Sequence, residues 1–172
     1  YADVVRMMTD SLVDNEAMRF GECAVSLGFV TPDDVTLALA RQVRRKIVSC
    51  LQWTRVERGF DPDVRALSKN NRYPCAPKPL LVEGIRKFFD STRLLPVLGP
   101  HLQKYLLLEG RADEVATRCG FSDREEACLT TMDGAATLAD VLTSGGPGGL
   151  SGAETALLLG SLVLLEEVSV HD

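Results

Sequence analysis

Apolar residues recur at helical spacing from the start of the chain. Val4, Val5, Met8, Leu12 and Val13 share one face, and Met18, Val25 and Leu27 continue an apolar pattern up to Gly28. Residues three or four apart stack on one side of a helix, so the pattern predicts two short helices with Gly28 as a C-terminal stop. Thr31-Pro32-Asp33-Asp34 then combines a capping hydroxyl, a proline at the first helical position and carboxylates at the positive end of the helix dipole. A long helix is predicted from there to about Gln52, with Val35, Leu39, Val43, Ile47, Cys50 and Leu51 as its stripe.

Trp53 to Phe60 mixes Trp53, Val56 and Phe60 with polar residues and Gly59, which predicts a short strand or hairpin. Residues 61–79 hold Pro62, Pro74, Pro77 and Pro79 and a polar run from Ser68 to Arg72, the composition of an exposed connector. Beyond it, Leu80, Leu81, Ile85, Phe88 and Phe89 predict an amphipathic helix, and Ser91 to Leu98 a short one ending at Gly99-Pro100. A strand is expected at Lys104 to Leu108 and a helix at Asp113 to Arg118. Ser122-Asp123-Arg124-Glu125 opens another helix with a capping box, which Met132-Asp133-Gly134 ends. Thr137 caps the next, Ser151 starts a helix to about Leu165, and Val168-Ser169-Val170 reads as a closing strand. The expectation is a mainly α protein with a few short β-strands, in the α+β class. It has a helical N-terminal lobe over 1–60, a connector over 61–79 and a winged-helix-like C-terminal lobe over 80–172.

Composition narrows the function. In 172 residues, 19 basic and 24 acidic side chains leave a net charge of -5, so the chain lacks the positive field that drives phosphate-backbone binding. The helix Ser151 to Leu165 holds no Arg or Lys with which to read base edges. No nucleic-acid partner is expected. Five cysteines without Cys-x-x-Cys spacing read as reduced, buried thiols of a cytoplasmic protein, and His101 and His171 are too few for a typical zinc site. The longest apolar run, Ala156 to Leu165, is short of the roughly 18 residues of a membrane span, so no membrane insertion is expected. The chain opens on Tyr1 without a charged-then-apolar leader, as expected of a fragment of a longer polypeptide.

Candidate chemistry is sparse. Gly145-Gly146-Pro147-Gly148-Gly149 lacks the Gly-Lys-Ser/Thr ending of a phosphate loop and reads as a connector. Glu16 with Glu22, and the pair Glu125-Glu126, sit where carboxylates act as solvated faces or caps. No catalytic residue, metal ligand or cofactor emerges, and the chain is read as a non-enzyme. Arg41, Arg44, Arg45 and Lys46 form a basic cluster on the long helix, able to attract an anion or simply to be a solvated face.

The spacing Arg19-Phe20-Gly21, Val25, Gly28, Val30, Val35, Leu39, Gln42 resembles the cyclic-di-GMP motif of the MshEN type, found in type II secretion and type IV pilus ATPases. The resemblance implies that Arg19 and Gln42 contact guanine, that Gly21 lets the backbone approach phosphate, and that the apolar positions cover the bases. Arg19, Gly21, Gly28, Leu39 and Gln42 match, Val35 is conservative, and Phe20 and Ala24 stand where leucine is usual. The family carries two tandem copies. The sequence from Val48 onward, through Trp53 and Arg55, does not repeat the motif, so a single half-site either borrows the remainder from a dimer or binds weakly.

A second resemblance covers most of the chain. Gln42 to Phe60, with Lys46, Leu51, Trp53 and Phe60, is similar to the Leu-x-Trp segment of PATAN-type domains. Pro79 to Arg86 resembles their Glu-Gly-Arg helix, and Leu129 to Leu142, with Asp133-Gly134 and Thr137, their Asp-Gly-x-x-Thr-Val element. It implies a bacterial signal-transduction adaptor, without catalysis, docking protein partners of motility, polarity or pilus machinery, with Asp133-Gly134 as a helix-ending turn. An apolar groove around Phe29, Val30, Trp53 and Phe60, or else the linker between the lobes, is the expected partner surface, because exposed aromatics anchor interfaces. The adaptor is the first reading. A cyclic-di-GMP receptor using Arg19, Gly21, Leu39 and Gln42, with Arg41, Arg44 and Arg45 helping at phosphate, is the alternative, and homodimer formation stays open.

Overall fold

The computed structural model describes residues 4–7, 9, 19–55, 57 and 75–172. They fall in two compact units, the first holding the described residues through Lys46 and the second those from Ile47 onward. The predicted class is observed: helices dominate, and a small antiparallel sheet accompanies them.

The first unit contains α1 (Phe20–Ser26) and most of α2 (Pro32–Cys50), whose last residues belong to the second. Gly28 adopts the left-handed conformation, φ 73°, just past α1. The Phe29 N–H donates to the Ala24 carbonyl at 3.0 Å and the Gly28 N–H to Val25 at 2.9 Å, the paired bonds that satisfy the last carbonyls of a helix. Gly28 is thus a chain-reversing residue. Thr31 starts α2 as predicted: its hydroxyl accepts from the Asp34 N–H at 3.2 Å, and the Asp34 carboxylate accepts from the Thr31 N–H at 3.0 Å and hydroxyl at 2.7 Å. The buried cluster of this unit among the described residues is small, Cys23 and Ala24 with Leu27 against them.

In the second unit α3 (Pro77–Phe88) and α4 (Ser91–Leu98), followed by a 3-10 turn at Gly99–His101, lead into β1 (Tyr105–Leu108). Then come α5 (Ala112–Cys119), α6 (Asp123–Leu129), β2 (Asp133–Thr137), α7 (Leu138–Ser144), α8 (Gly152–Leu164) and β3 (Val168–His171). β1 is central and pairs antiparallel with β2 and β3. Leu106 and Val168 are buried on the inner face of the sheet. The core is built around them and α8, whose Leu158, Leu159 and Leu162 meet Leu94, Leu98, Val115, Leu129, Leu138 and Val141.

Several expectations are corrected. Asp133-Gly134 does not end a helix: α6 stops at Leu129, and Asp133 opens strand β2. Between the pairs Tyr105↔Thr137 and Leu107↔Asp133 the register shifts, and Gly134, φ 88°, lies in that bulge. Thr137 does cap α7, accepting from the Asp140 N–H. The connector is shorter at its end than predicted, since Pro77 and Pro79 form the first turn of α3, where proline's fixed φ suits a helix start. Residues 61–74 lie outside the described residues. The described part of the predicted strand at Trp53 to Phe60, residues 53–55 and 57, is not strand. On α2 the buried residue is Val48, whereas Ile47 and Cys50 are exposed. Cys75 is exposed too, so only three of the five thiols are buried, and no disulfide forms among the described residues.

Two of the polar ties in the second unit reach into its interior. Arg93 donates to the Leu51 carbonyl at 2.7 Å and the Phe88 carbonyl at 3.3 Å while lying 4.0 Å from the centre of the Phe89 ring. Leu51 itself rests on Gly84, where a Cβ would come within 2.0 Å of its Cδ1, so the glycine of the Glu83-Gly84 pair has a packing cause. Glu167, 1% exposed, receives Lys78 Nζ and Arg118, with Arg118 Nε at 3.2 Å. Hydrogen bonds from the Arg118 guanidinium hold its carboxyl down at about 2, against the cost of burial. Neighbouring Cys119 is pushed up to about 11, first by burial and then by the Glu167 charge.

Candidate functional site

The residues of the Arg19 to Gln42 window gather around one cavity of about 580 Å³ in the first unit. Its wall is made by the start of α1 (Arg19, Phe20, Gly21, Glu22, Ala24), by Val30 in the turn, and by Asp34, Val35, Ala38, Leu39 and Gln42 on α2. The periodicity of α2 explains half of it: 35, 38, 39 and 42 are one helical face. Of the seven predicted ligand residues, Arg19, Phe20, Gly21, Val35, Leu39 and Gln42 line the cavity. Gly28 does not; it turns the chain between the two walls.

Gly21 has a cause of its own. A Cβ there would lie 2.7 Å from Val35 Cγ1, so only glycine lets α1 approach α2 this closely. The resemblance assigned that glycine to phosphate; its structural duty is to close the helix pair. The lining is mostly apolar, with four polar ends. Two are acidic, and both are engaged at helix starts: the Glu22 carboxylate accepts the Arg19 N–H at 2.9 Å, and Asp34 is held by Thr31. The Thr31 hydroxyl and N–H hold the Asp34 carboxyl below its ordinary range. The remaining two are Arg19 and Gln42.

No protein-family model, curated protein or solved structure matches the chain. What the cavity can do therefore follows from its side chains. An apolar slot with a few placed polar groups is the usual form of a small-molecule site. Arg offers a rigid fork of donors and Gln a donor and an acceptor side by side, the set that pairs with a purine edge. Phe20, 66% exposed, stands at the rim as a surface on which a planar base can stack. Arg41, Arg44 and Arg45 do not line the cavity, but they are exposed on α2 around and beyond Gln42.

The predicted partner surface is divided. Phe29 and Val30, 39% and 38% exposed, belong to the first unit, and Trp53, 55% exposed, to the second; Phe60 lies outside the described residues. Sequence reading overlooked Glu22, Asp34 and Ala38 in the cavity wall. The helical period would have found Ala38, and the Thr31-x-x-Asp34 capping pattern Asp34.

A second concavity, in the second unit, is lined by Arg86, Ser122, Arg124, Glu125, Leu150, Glu154 and Leu157. Its charges answer one another: Arg86 Nη2 reaches both Glu125 oxygens at 2.6 and 2.7 Å, and Arg124 donates to the carbonyls of Gly148 and Gly149 and faces Glu154 at 3.6 Å. No group of three metal-capable side chains occurs among the described residues, and no described helix is long and apolar enough to cross a membrane.

Proposed function

We propose that the first unit is a receptor for a guanine-containing cyclic dinucleotide, cyclic-di-GMP being the one its sequence motif suggests. The observation that carries this reading is the convergence of Arg19, Phe20, Gly21, Val35, Leu39 and Gln42 on one apolar cavity. Arg19 and Gln42 would read the base edge, Phe20, Val35 and Leu39 would cover its faces, and the arginines following Gln42 would favour the approach of a dianion. Titration calorimetry of the 172-residue chain with cyclic-di-GMP tests it. Saturable heat is expected, weakened at least tenfold by Arg19→Ala and by Gln42→Ala; no heat at high micromolar ligand overturns it.

The adaptor reading has its own support in the second unit. Tyr105 and Leu107, on the outward face of β1, are both 42% exposed, a pair of apolar side chains suited to a protein partner. In this reading the chain relays nucleotide binding to a bacterial signalling partner without catalysis. Leu107→Lys should then abolish partner capture while leaving the calorimetric titration unchanged, and loss of both would overturn the separation of the two surfaces.

A further inference from the structure

Among the described residues the cavity offers one Arg and one Gln to a ligand that has two of everything. A cyclic dinucleotide is two-fold symmetric, with two bases and two phosphates, whereas among the described residues the wall supplies a single Arg19 and a single Gln42, its acidic members being engaged at helix starts. The wall also stops at an apolar rim. Phe20, Val30 and Leu39 remain substantially exposed although they face the site, so a base seated on one wall leaves its twin above uncovered hydrocarbon.

We infer that one cyclic dinucleotide bridges two copies of this chain about its own two-fold axis, each copy's Arg19 and Gln42 taking one base. This rests on the nucleotide reading above. A second copy supplies a matching Arg and Gln for the other base, beyond the one of each that the described wall holds, and a rim that covers the first. Charge is favourable as well, since the exposed Arg41 and Arg45 of each copy, close in sequence to Gln42, add positive field toward the two phosphates. The rim alone is too small to hold the pair. A stable interface buries about 800 Å² per partner, and three half-exposed side chains fall well short of that, so the dimer depends on its ligand.

Sedimentation velocity of the full chain during titration with cyclic-di-GMP reads this out, with calorimetry on the same samples. The chain should sediment at 18.7 kDa without ligand, reach a maximum of dimer near half an equivalent per chain, and return toward monomer in large excess, as each copy takes a molecule of its own. GMP, which carries one base, should compete for the site and leave the chain monomeric. Phe20→Ser, at an exposed rim position that does not threaten the fold, should reduce the dimer maximum severalfold. Saturation at one ligand per monomer with no change in mass overturns the bridge and leaves the receptor reading standing. A dimer formed equally without ligand overturns the bridge too, and absence of heat removes both.

Discussion

Replacing Glu167 by Gln tests how much one buried carboxylate holds the second unit together. The side chain is fully enclosed, yet its partners Lys78 and Arg118 are 36% and 42% exposed, so on losing the carboxylate they can rehydrate. The cost is then the lost preference for the charged form. A drop from an ordinary 4.5 to about 2 corresponds, at 1.36 kcal/mol per unit, to about 3 kcal/mol, near the lower end of what breaking a buried pair costs. Because the folded state holds the carboxyl below its unfolded value, this stabilisation is complete above pH 4.5 and is lost as pH falls toward 2. About 2 kcal/mol of it should be gone by pH 3. Urea unfolding followed by far-ultraviolet circular dichroism at pH 7, 5, 4 and 3 should show Glu167→Gln less stable by about 3 kcal/mol at neutral pH, with the gap closing in acid. A gap under about 0.5 kcal/mol at pH 7, or one that stays constant down to pH 3, would refute the reasoning.

Other substitutions probe single causes. Glu166 occupies a left-handed position, φ 55°, just past α8, where the Glu167 N–H returns to the Leu162 carbonyl; Glu166→Gly should raise stability by about 1 kcal/mol in the same assay. Gly84→Ala forces a methyl onto Leu51 and should cost about 1–3 kcal/mol; adding Leu51→Ala should recover part of that loss, and strictly additive costs would argue against the contact. Ser151 accepts the Glu154 N–H at the start of α8, so Ser151→Ala should lower the urea midpoint by an amount equivalent to about 1 kcal/mol.

Where structure is decided locally, it was legible in the sequence. Thr31-Pro32, Ser122 with Glu125, Thr137 and Ser151 all announce helix starts because the groups that satisfy the first N–H donors sit within three residues. The cavity was legible for a related reason, since its α2 wall is one helical face and its α1 wall a short motif. β2 was not: Asp133-Gly134 carries turn chemistry and Ala135-Ala136 little strand preference, and only pairing with distant β1 makes the segment a strand. Nothing local to Glu167 tells that Arg118 and Lys78, 49 and 89 residues away, enclose it. The stripe on α2 failed at its last turn, where Val48 rather than Ile47 is buried and Leu51 rests on Gly84, a tertiary contact that the helical period does not carry.

The distribution of thiols gives the chain internal clocks. Cys50 and Cys75 are open to a modifying reagent at once, while Cys23 is sealed in the first unit and Cys119 and Cys128 in the second. Alkylation of a sealed thiol waits for its surroundings to open, so its rate reports local unfolding. Cys119 and Cys128 are further slowed by burial, which raises both above the ordinary thiol range. Mass spectrometry of the unmodified sequence can therefore time the opening of each unit separately, and any ligand that stabilises the first unit alone should slow Cys23 while leaving Cys119 and Cys128 at their own pace.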